Sequence, residues 1–309
     1  MAVLFCSLEE DAERWRGPLL AADPDLDLRV WPDSGPVEEI EFALVWKHPP
    51  GELLRYPNLK VIFQLGAGVD NLLQDPGLPK GVPIVRLVDR GLTIGMSEYV
   101  LLHVLRYHRR VPLLEEQQRR REWVQIDYPL PWDRTVGIMG LGAIGSDAAA
   151  KLRMLEFNVR GWSRTPKRME GIECFHGGEG LDAFLARAEI LVCLLPLTAA
   201  TRGIINARTL AALPRGACVI NAARGGHLVA EDLLAALDSG HIGHATLDVF
   251  TPEPLPPEHP FWTHPRVTVT PHVAGITQPQ TSAAGIVENM RLSRIGQPLR
   301  NVVDPESGY

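Results

Sequence analysis

The sequence predicts an α/β protein built of two doubly wound parallel-sheet domains. Three observations predict it. Its 309 residues exceed what one hydrophobic core organises. Short apolar runs bounded by turn residues alternate with stretches of helical period along the whole chain. The runs form two separate series, one before residue 97 and one after residue 135.

In the first series, Ala2–Cys6, Phe42–Trp46, Val61–Leu65 and Ile84–Leu87 read as strands. From Ser97 the stretch SEYVLLHVLRYHRRVPLLEEQQRRREW has apolar residues at three-and-four spacing and then a basic tail, which predicts one long helix that Pro112 kinks or splits. The second series is TVGIMG from Thr135, then NVRGWS, EILVCLL, ACVINAA, HATLDVF and RVTVTPH, six strands in the rhythm of a complete dinucleotide-binding sheet. TPEPLPPEHP at 251–260 is too proline-rich for regular structure and reads as a stiff surface loop. Gln280–Gly296 returns to helical period and is expected to pack on the first series. The first domain is therefore expected to be discontinuous, residues 1–97 plus 280–309, with residues 98–279 inserted as a second domain.

Composition narrows the class. Apolar residues are 45% and charged residues 22%, close to globular averages. A formal charge of −6 offers no basic field for nucleic acid, so an anionic ligand must be held by local groups. No run approaches the ~18 apolar residues of a membrane helix. Met1–Ser7 is apolar but short, lacks a basic flank and runs straight into Glu9, Glu10 and Asp11, so it reads as a strand and not as a signal peptide. Cys6, Cys174, Cys193 and Cys218 lie far apart with no metal-ligand spacing and read as reduced thiols, mostly core filler. A cytoplasmic location follows from these readings.

Gly140-Leu-Gly-Ala-Ile-Gly145 is a G-x-G-x-x-G that follows the strand TVGIM and opens a helix near Ala143. In that context Gly140 permits the tight turn, Gly142 lets the backbone approach a pyrophosphate, and Gly145 allows close helix–strand packing. The free N–H groups of Ala143 and Ile144 and the helix dipole favour the anion. This is the phosphate loop of a Rossmann-type domain. An NAD site would place Asp or Glu at the end of the next strand to accept from the ribose 2′-hydroxyl. The chain instead has Gly161-Trp-Ser-Arg-Thr165, where Ser163, Arg164 and Thr165, with Lys167 nearby, offer hydroxyls and positive charge to a 2′-phosphate. NADPH is the expected coenzyme, with NADH a weaker one.

The glycine loop with WSRT, together with ALVW (43–46), LGAGVDNLL (65–73), LLPLT (194–198), NAARGGHLVAEDLLAALDSG (221–240) and LDVFTPEPLPPEHPFWTHPRVTVTPHVAGIT (247–277), resembles the D-isomer-specific 2-hydroxyacid dehydrogenase family over nearly the whole chain. The resemblance implies two Rossmann-like or flavodoxin-like domains with an active-site cleft between them. It also implies reduction of a small 2-keto acid, glyoxylate or hydroxypyruvate, by hydride transfer.

Such chemistry needs an anchor for the substrate carboxylate, a proton donor for the carbonyl oxygen and a partner for that donor. By resemblance these are Arg224, His272 and Glu253. Arg224 follows an apolar strand end, where ligands gather in open α/β sheets, and its fork suits a keto acid's oxygens. Imidazole exchanges protons near neutral pH, and a carboxylate beside it fixes its orientation. The resemblance further places Asp248 beside the nicotinamide carboxamide, Pro196 and Ala222 along the coenzyme, and Gly66, Ala67, Gly68 and Val69 as a backbone cradle for the carboxylate. Trp46 reads either as a wall limiting substrate size or as a core side chain. The resemblance also implies a homodimer formed through the coenzyme domain, and no nucleic-acid or membrane partner. Two alternatives stay open: a relative acting on a different 2-keto acid, and a dinucleotide-sensing corepressor without catalysis.

Overall fold

A computed structural model describes residues 2–304 of the chain. They divide into two compact units, the first running to Leu92 and resuming at Ile276, the second spanning Thr93–Gly275. The divisions lie a few residues before the expected crossings near 97 and 280.

The first unit contains β1 (Ala2–Ser7), α1 (Ala12–Ala22), β2 (Asp27–Val30), β3 (Ile40–Trp46), β4 (Val61–Gln64), α2 (Asp70–Leu73) and β5 (Ile84–Arg86). Its five strands are all parallel, in the order β2-β1-β3-β4-β5. Apolar runs form the inner strands because both faces are covered. Val3 and Phe5 of β1 point to one core with Trp15 and Leu19 of α1, while Ala2, Leu4 and Cys6 point to another with Leu53, Tyr56 and Leu72. Asp11 caps α1 by accepting from the Glu13 N–H, which fixes where the helix starts.

Chain order continues with α3 (Arg90–His108) and α4 (Val111–Arg120). The helix expected from Ser97 is split into two beside Pro112, one of the two outcomes expected there, and its first part begins earlier. The break is at Arg110, whose φ of 52° is left-handed, and Pro112 lies in the first turn of α4, where a missing N–H costs nothing. Beyond them lie β6 (Thr135–Met139), α5 (Ala143–Met154), β7 (Asn158–Ser163), β8 (Glu173–His176), α6 (Glu179–Leu185), β9 (Ile190–Cys193), α7 (Ala207–Ala211), β10 (Ala217–Asn221), α8 (Ala230–Asp238), β11 (Ile242–Leu247) and β12 (Val267–Val269).

The second sheet has seven parallel strands, ordered β12-β11-β10-β9-β6-β7-β8, one more than the expected six. From β6 the chain moves outward through β7 and β8, then returns to the other side of β6 with β9. The order therefore reverses between β6 and β9, the point at which open α/β sheets bind ligands. The two strands absent from the sequence reading, β2 and β8, are both edges, DLRV and ECFH, each with an exposed acidic first residue. Residues 251–260 are irregular until a short turn at Pro260–Trp262. The helix at the chain end is α9 (Pro279–Arg294), which packs Ala283, Ile286 and Met290 into the α1 side of the first unit's core.

Cys6, Cys193 and Cys218 are buried and Cys174 half-buried, all as free thiols. Burial pushes the three buried thiols up to about 12, which leaves them protonated and inert. Among the described residues no helix is long and apolar enough to cross a membrane.

Candidate active site

The second unit carries most of the expected site. Gly140 stands at the end of β6 with φ 103°, and a Cβ there would lie 2.7 Å from the Leu194 carbonyl oxygen after β9. Gly145 is tighter still, since a Cβ would approach the Gly140 carbonyl oxygen to 1.8 Å. Around Gly142 nothing lies within 4 Å of the same position, so the backbone is open to a ligand. No side chain caps α5, so its first N–H groups at Ala143 and Ile144 are presented at the sheet's reversal point. A tight turn, an open approach and an uncapped helix start are what a dinucleotide pyrophosphate requires, and the residues present fit it.

At the end of β7, Ser163 is buried and donates its hydroxyl to the Thr165 carbonyl (2.8 Å), shaping the turn. Arg164, Thr165 and Lys167 are exposed on that turn. The Trp162 indole N–H donates to the Gly177 carbonyl (2.9 Å), which ties the β7 end to the loop after β8.

His272 and Glu253, nineteen residues apart, meet at 3.0 Å through Nδ1 and Oε2. The other Glu253 oxygen accepts the Phe250 N–H at 2.9 Å, which holds the carboxylate against rotation. With Nδ1 committed to Glu253, Nε2 is the nitrogen left to exchange a proton with a substrate. His272 has φ 54°, a left-handed conformation that non-glycine residues adopt at a cost, and such strain persists where surrounding bonds enforce it.

Asp248 enforces it. Its main-chain carbonyl accepts the His272 N–H (2.8 Å). Its carboxylate accepts the Thr270 hydroxyl (2.6 Å) and the N–H groups of Val273 (2.9 Å) and Ala274 (2.9 Å). Burial raises the Asp248 carboxyl above the usual aspartate range, against the lowering effect of those bonds and of His272. Thr270 is held in turn by Tyr99 of α3, whose hydroxyl lies 2.7 Å from the Thr270 oxygen. The geometry therefore makes Asp248 a brace for the His272 loop.

Arg224 follows β10. Asn221 braces its loop by donating to the Arg224 carbonyl (3.0 Å) and accepting the Ala223 N–H (3.2 Å). A guanidinium nitrogen of Arg224 donates to the Ala223 carbonyl (2.7 Å). Pro196 and Ala222 lie just past β9 and β10. Sequence reasoning missed the supports Asn221, His227, Thr270 and Tyr99; the first three lie inside the matching blocks, and nothing in the sequence marked Tyr99 within α3.

The remaining expected residues belong to the first unit. Trp46 ends β3, half-buried, and a Cβ on Gly66 would lie 2.4 Å from Cζ3 of its ring, so an edge of the indole lies directly against the glycine loop. Gln64 donates to the Gly68 carbonyl (3.2 Å) and Thr277 to the Leu65 carbonyl (3.1 Å), which shape the loop through Ala67, Gly68 and Val69. The segment after Trp46 is pinned by His48 on Asp75 (2.9 Å), a buried pair. Burial alone would raise the Asp75 carboxyl, but N–H bonds from Gly51 and Gly77 and the His48 contact outweigh it and hold it below its usual range.

A braced imidazole–carboxylate pair, an arginine past a strand end and a dinucleotide loop on one parallel sheet define a coenzyme-dependent dehydrogenase. Residues 101–274 match the family model described as D-isomer specific 2-hydroxyacid dehydrogenase, NAD binding domain, and the chain belongs to that family. It is 44% identical over its full length to glyoxylate/hydroxypyruvate reductase A of Serratia proteamaculans (strain 568), covering all of both chains. A D-isomer specific 2-hydroxyacid dehydrogenase from Xanthobacter autotrophicus Py2, solved with NADPH and MES, superposes with a TM-score of 0.97 at 48% identity, over 100% of this chain and 99% of that one. The NADPH-dependent glyoxylate/hydroxypyruvate reductase of Sinorhizobium meliloti, solved with NADP and sulfate, superposes with a TM-score of 0.93 at 42% identity, over 100% of each chain.

Proposed function

We propose that this chain reduces small 2-keto acids with NADPH, glyoxylate to glycolate and hydroxypyruvate to D-glycerate. The observation that carries the reading is the His272–Glu253 contact, held in place by Phe250 and Asp248 on the same sheet as Arg224 and the glycine loop. Gly140, Gly142, Ala143, Ile144 and Gly145 hold the coenzyme pyrophosphate. Ser163, Arg164, Thr165 and Lys167 would take its 2′-phosphate, Pro196 and Ala222 would flank it, and Asp248, besides bracing the loop, would stand near the nicotinamide amide. When bound, the reduced nicotinamide supplies the hydride that the keto carbon receives. Arg224 fixes the substrate through its carboxylate and polarises the carbonyl, where charge grows as hydride arrives. His272 gives the Nε2 proton to the carbonyl oxygen, and Glu253 compensates the imidazolium charge until then. The first unit is the substrate domain, its Ala67, Gly68 and Val69 amides meeting the carboxylate and Trp46 limiting the acid to two or three carbons.

The names of the relatives and the NADPH and NADP in the solved structures support this reading. Steady-state kinetics with both coenzymes tests it. A charge-assisted hydrogen bond contributes about 1.5–3 kcal/mol, so kcat/KM for NADPH is expected to exceed that for NADH by about tenfold or more. Equal use of both would remove the 2′-phosphate assignment.

The protein acts as a cytoplasmic homodimer. Reduced, buried thiols support the compartment. An apolar surface on α3, α4 and the segment after them supports the dimer: Leu102, Leu113, Leu114, Val124 and Trp132 are exposed, and Trp123 is 98% exposed. Sedimentation equilibrium should return twice the chain mass for the wild type and a lower mass for Leu102→Glu. A monomeric wild type would refute the pairing.

A further inference from the structure

His227 is wholly buried and no step of the proposed reaction uses it. Its ring joins two loops. Nε2 lies 3.2 Å from the Pro196 carbonyl after β9, which only accepts, so Nε2 carries a proton and donates it. Nδ1 lies 3.2 Å from the Arg224 main-chain nitrogen and 3.1 Å from the Arg224 carbonyl oxygen after β10, so it meets the Arg224 main chain at both groups. Of the two neutral forms, Nε2–H serves both the Pro196 carbonyl and the Arg224 N–H, whereas Nδ1–H serves only the Arg224 carbonyl, so Nε2–H is the form these partners favour.

Each loop is otherwise constrained. The Pro196 carbonyl also accepts the Thr201 hydroxyl (2.7 Å), whose oxygen accepts the Thr198 N–H (2.9 Å). The two loops run together through Gly203 N–H to Gly226 O (2.9 Å) and Ile205 N–H to His227 O (2.8 Å). Gly225 sits against Phe250 so closely that a Cβ would come 2.0 Å from the Phe250 carbonyl carbon. Phe250 in turn donates to Glu253, the partner of His272. A continuous track therefore leads from Pro196 through His227 and the Arg224 main chain to Phe250, Glu253 and His272.

We propose that His227 is a positioning residue that fixes the coenzyme-side carbonyl of Pro196 and the main chain of Arg224 relative to each other, through a hydrogen bond donated by Nε2 and one accepted by Nδ1. The proposal rests on the assignment of Pro196 to the coenzyme and Arg224 to the keto acid.

Two substitutions separate the two bonds. In His227→Asn the amide oxygen takes the place of Nδ1 and keeps the Arg224 N–H, while the Pro196 bond is lost. In His227→Gln the amide nitrogen reaches the place of Nε2 and keeps the Pro196 bond, while the Arg224 N–H is left without it. One hydrogen bond corresponds to about a threefold to tenfold change. The Asn variant is expected to weaken NADPH by that factor, read as Kd by coenzyme fluorescence without keto acid, with the glyoxylate KM held within about twofold. The Gln variant is expected to raise the glyoxylate KM by that factor, with the NADPH Kd held within about twofold. Thr201→Val removes the other donor to Pro196 from a half-buried position and is expected to resemble the Asn variant, which keeps the test open if a ring substitution does not fold. Equal shifts of both constants in both variants, or loss of thermal stability with both constants unchanged, would overturn the proposal. A wild type that binds NADPH but turns over no keto acid would overturn the reductase reading instead, while the NADPH Kd contrast would still decide the Pro196 link.

Discussion

His272→Ala is expected to lower kcat for glyoxylate by about 10²–10⁴-fold, the usual contribution of a positioned general acid, with NADPH bound within about twofold of wild type. The selectivity of the effect follows from geometry. His272 touches Glu253 through Nδ1 and the Asp248 carbonyl through its N–H, and neither contact forms the glycine loop. Alanine keeps the main-chain bond and loses only the ring, although the left-handed φ of 54° suits alanine no better. Steady-state turnover paired with a coenzyme titration measures both halves. Turnover at the wild-type rate would remove His272 from the chemistry, and a collapse of NADPH binding would mark it as structural.

Arg224→Lys is expected to lower kcat/KM for the keto acid by about 10²–10³-fold, again with NADPH binding preserved. Removing a charged hydrogen-bonding partner from a desolvated pair costs about 2–5 kcal/mol, and each 1.4 kcal/mol is a factor of ten. Lysine keeps the charge but presents a point donor in place of a planar fork, so it cannot bridge carboxylate and carbonyl together. Its shorter reach also forfeits the contact to the Ala223 carbonyl, one of the bonds that shape the arginine. A lysine variant with wild-type kcat/KM would show that charge alone serves and that the fork does not.

What could be read in advance, and what could not, divides along physical lines. The glycine loop was legible because its steric demands are local: Gly145 tolerates no Cβ at 1.8 Å from a carbonyl, and Gly140 needs φ 103°. The inner strands were legible because burial on both faces leaves unbroken apolar runs. The edge strands β2 and β8 were not, since an edge covered on fewer sides admits the charges of DLRV and the mixed pattern of ECFH. The start of α3 was missed because Gly91 and Gly95 weaken helix propensity there, and packing of residues such as Leu92 and Met96 overrides it.

At the site, family blocks pointed to His272, Glu253 and Arg224, but no spacing rule brings Glu253 to 3.0 Å of a histidine nineteen positions on; the fold does. The same limit hid His227, Asn221 and Thr270. Their roles consist of hydrogen bonds to main-chain atoms and, for Thr270, to the Asp248 carboxylate, for which a sequence has no pattern. The family blocks pointed to Asp248 as a site residue, yet the bracing work of its carboxylate emerged only from three bonds to the 270–274 segment.

The most direct test of the reductase reading is the rate of NADPH oxidation by the purified protein against a series of 2-keto acids of increasing length. The account predicts turnover with glyoxylate and hydroxypyruvate, falling steeply as the chain grows past three carbons. Tight NADPH binding without turnover on any member of the series would contradict it and would make the protein a dinucleotide sensor.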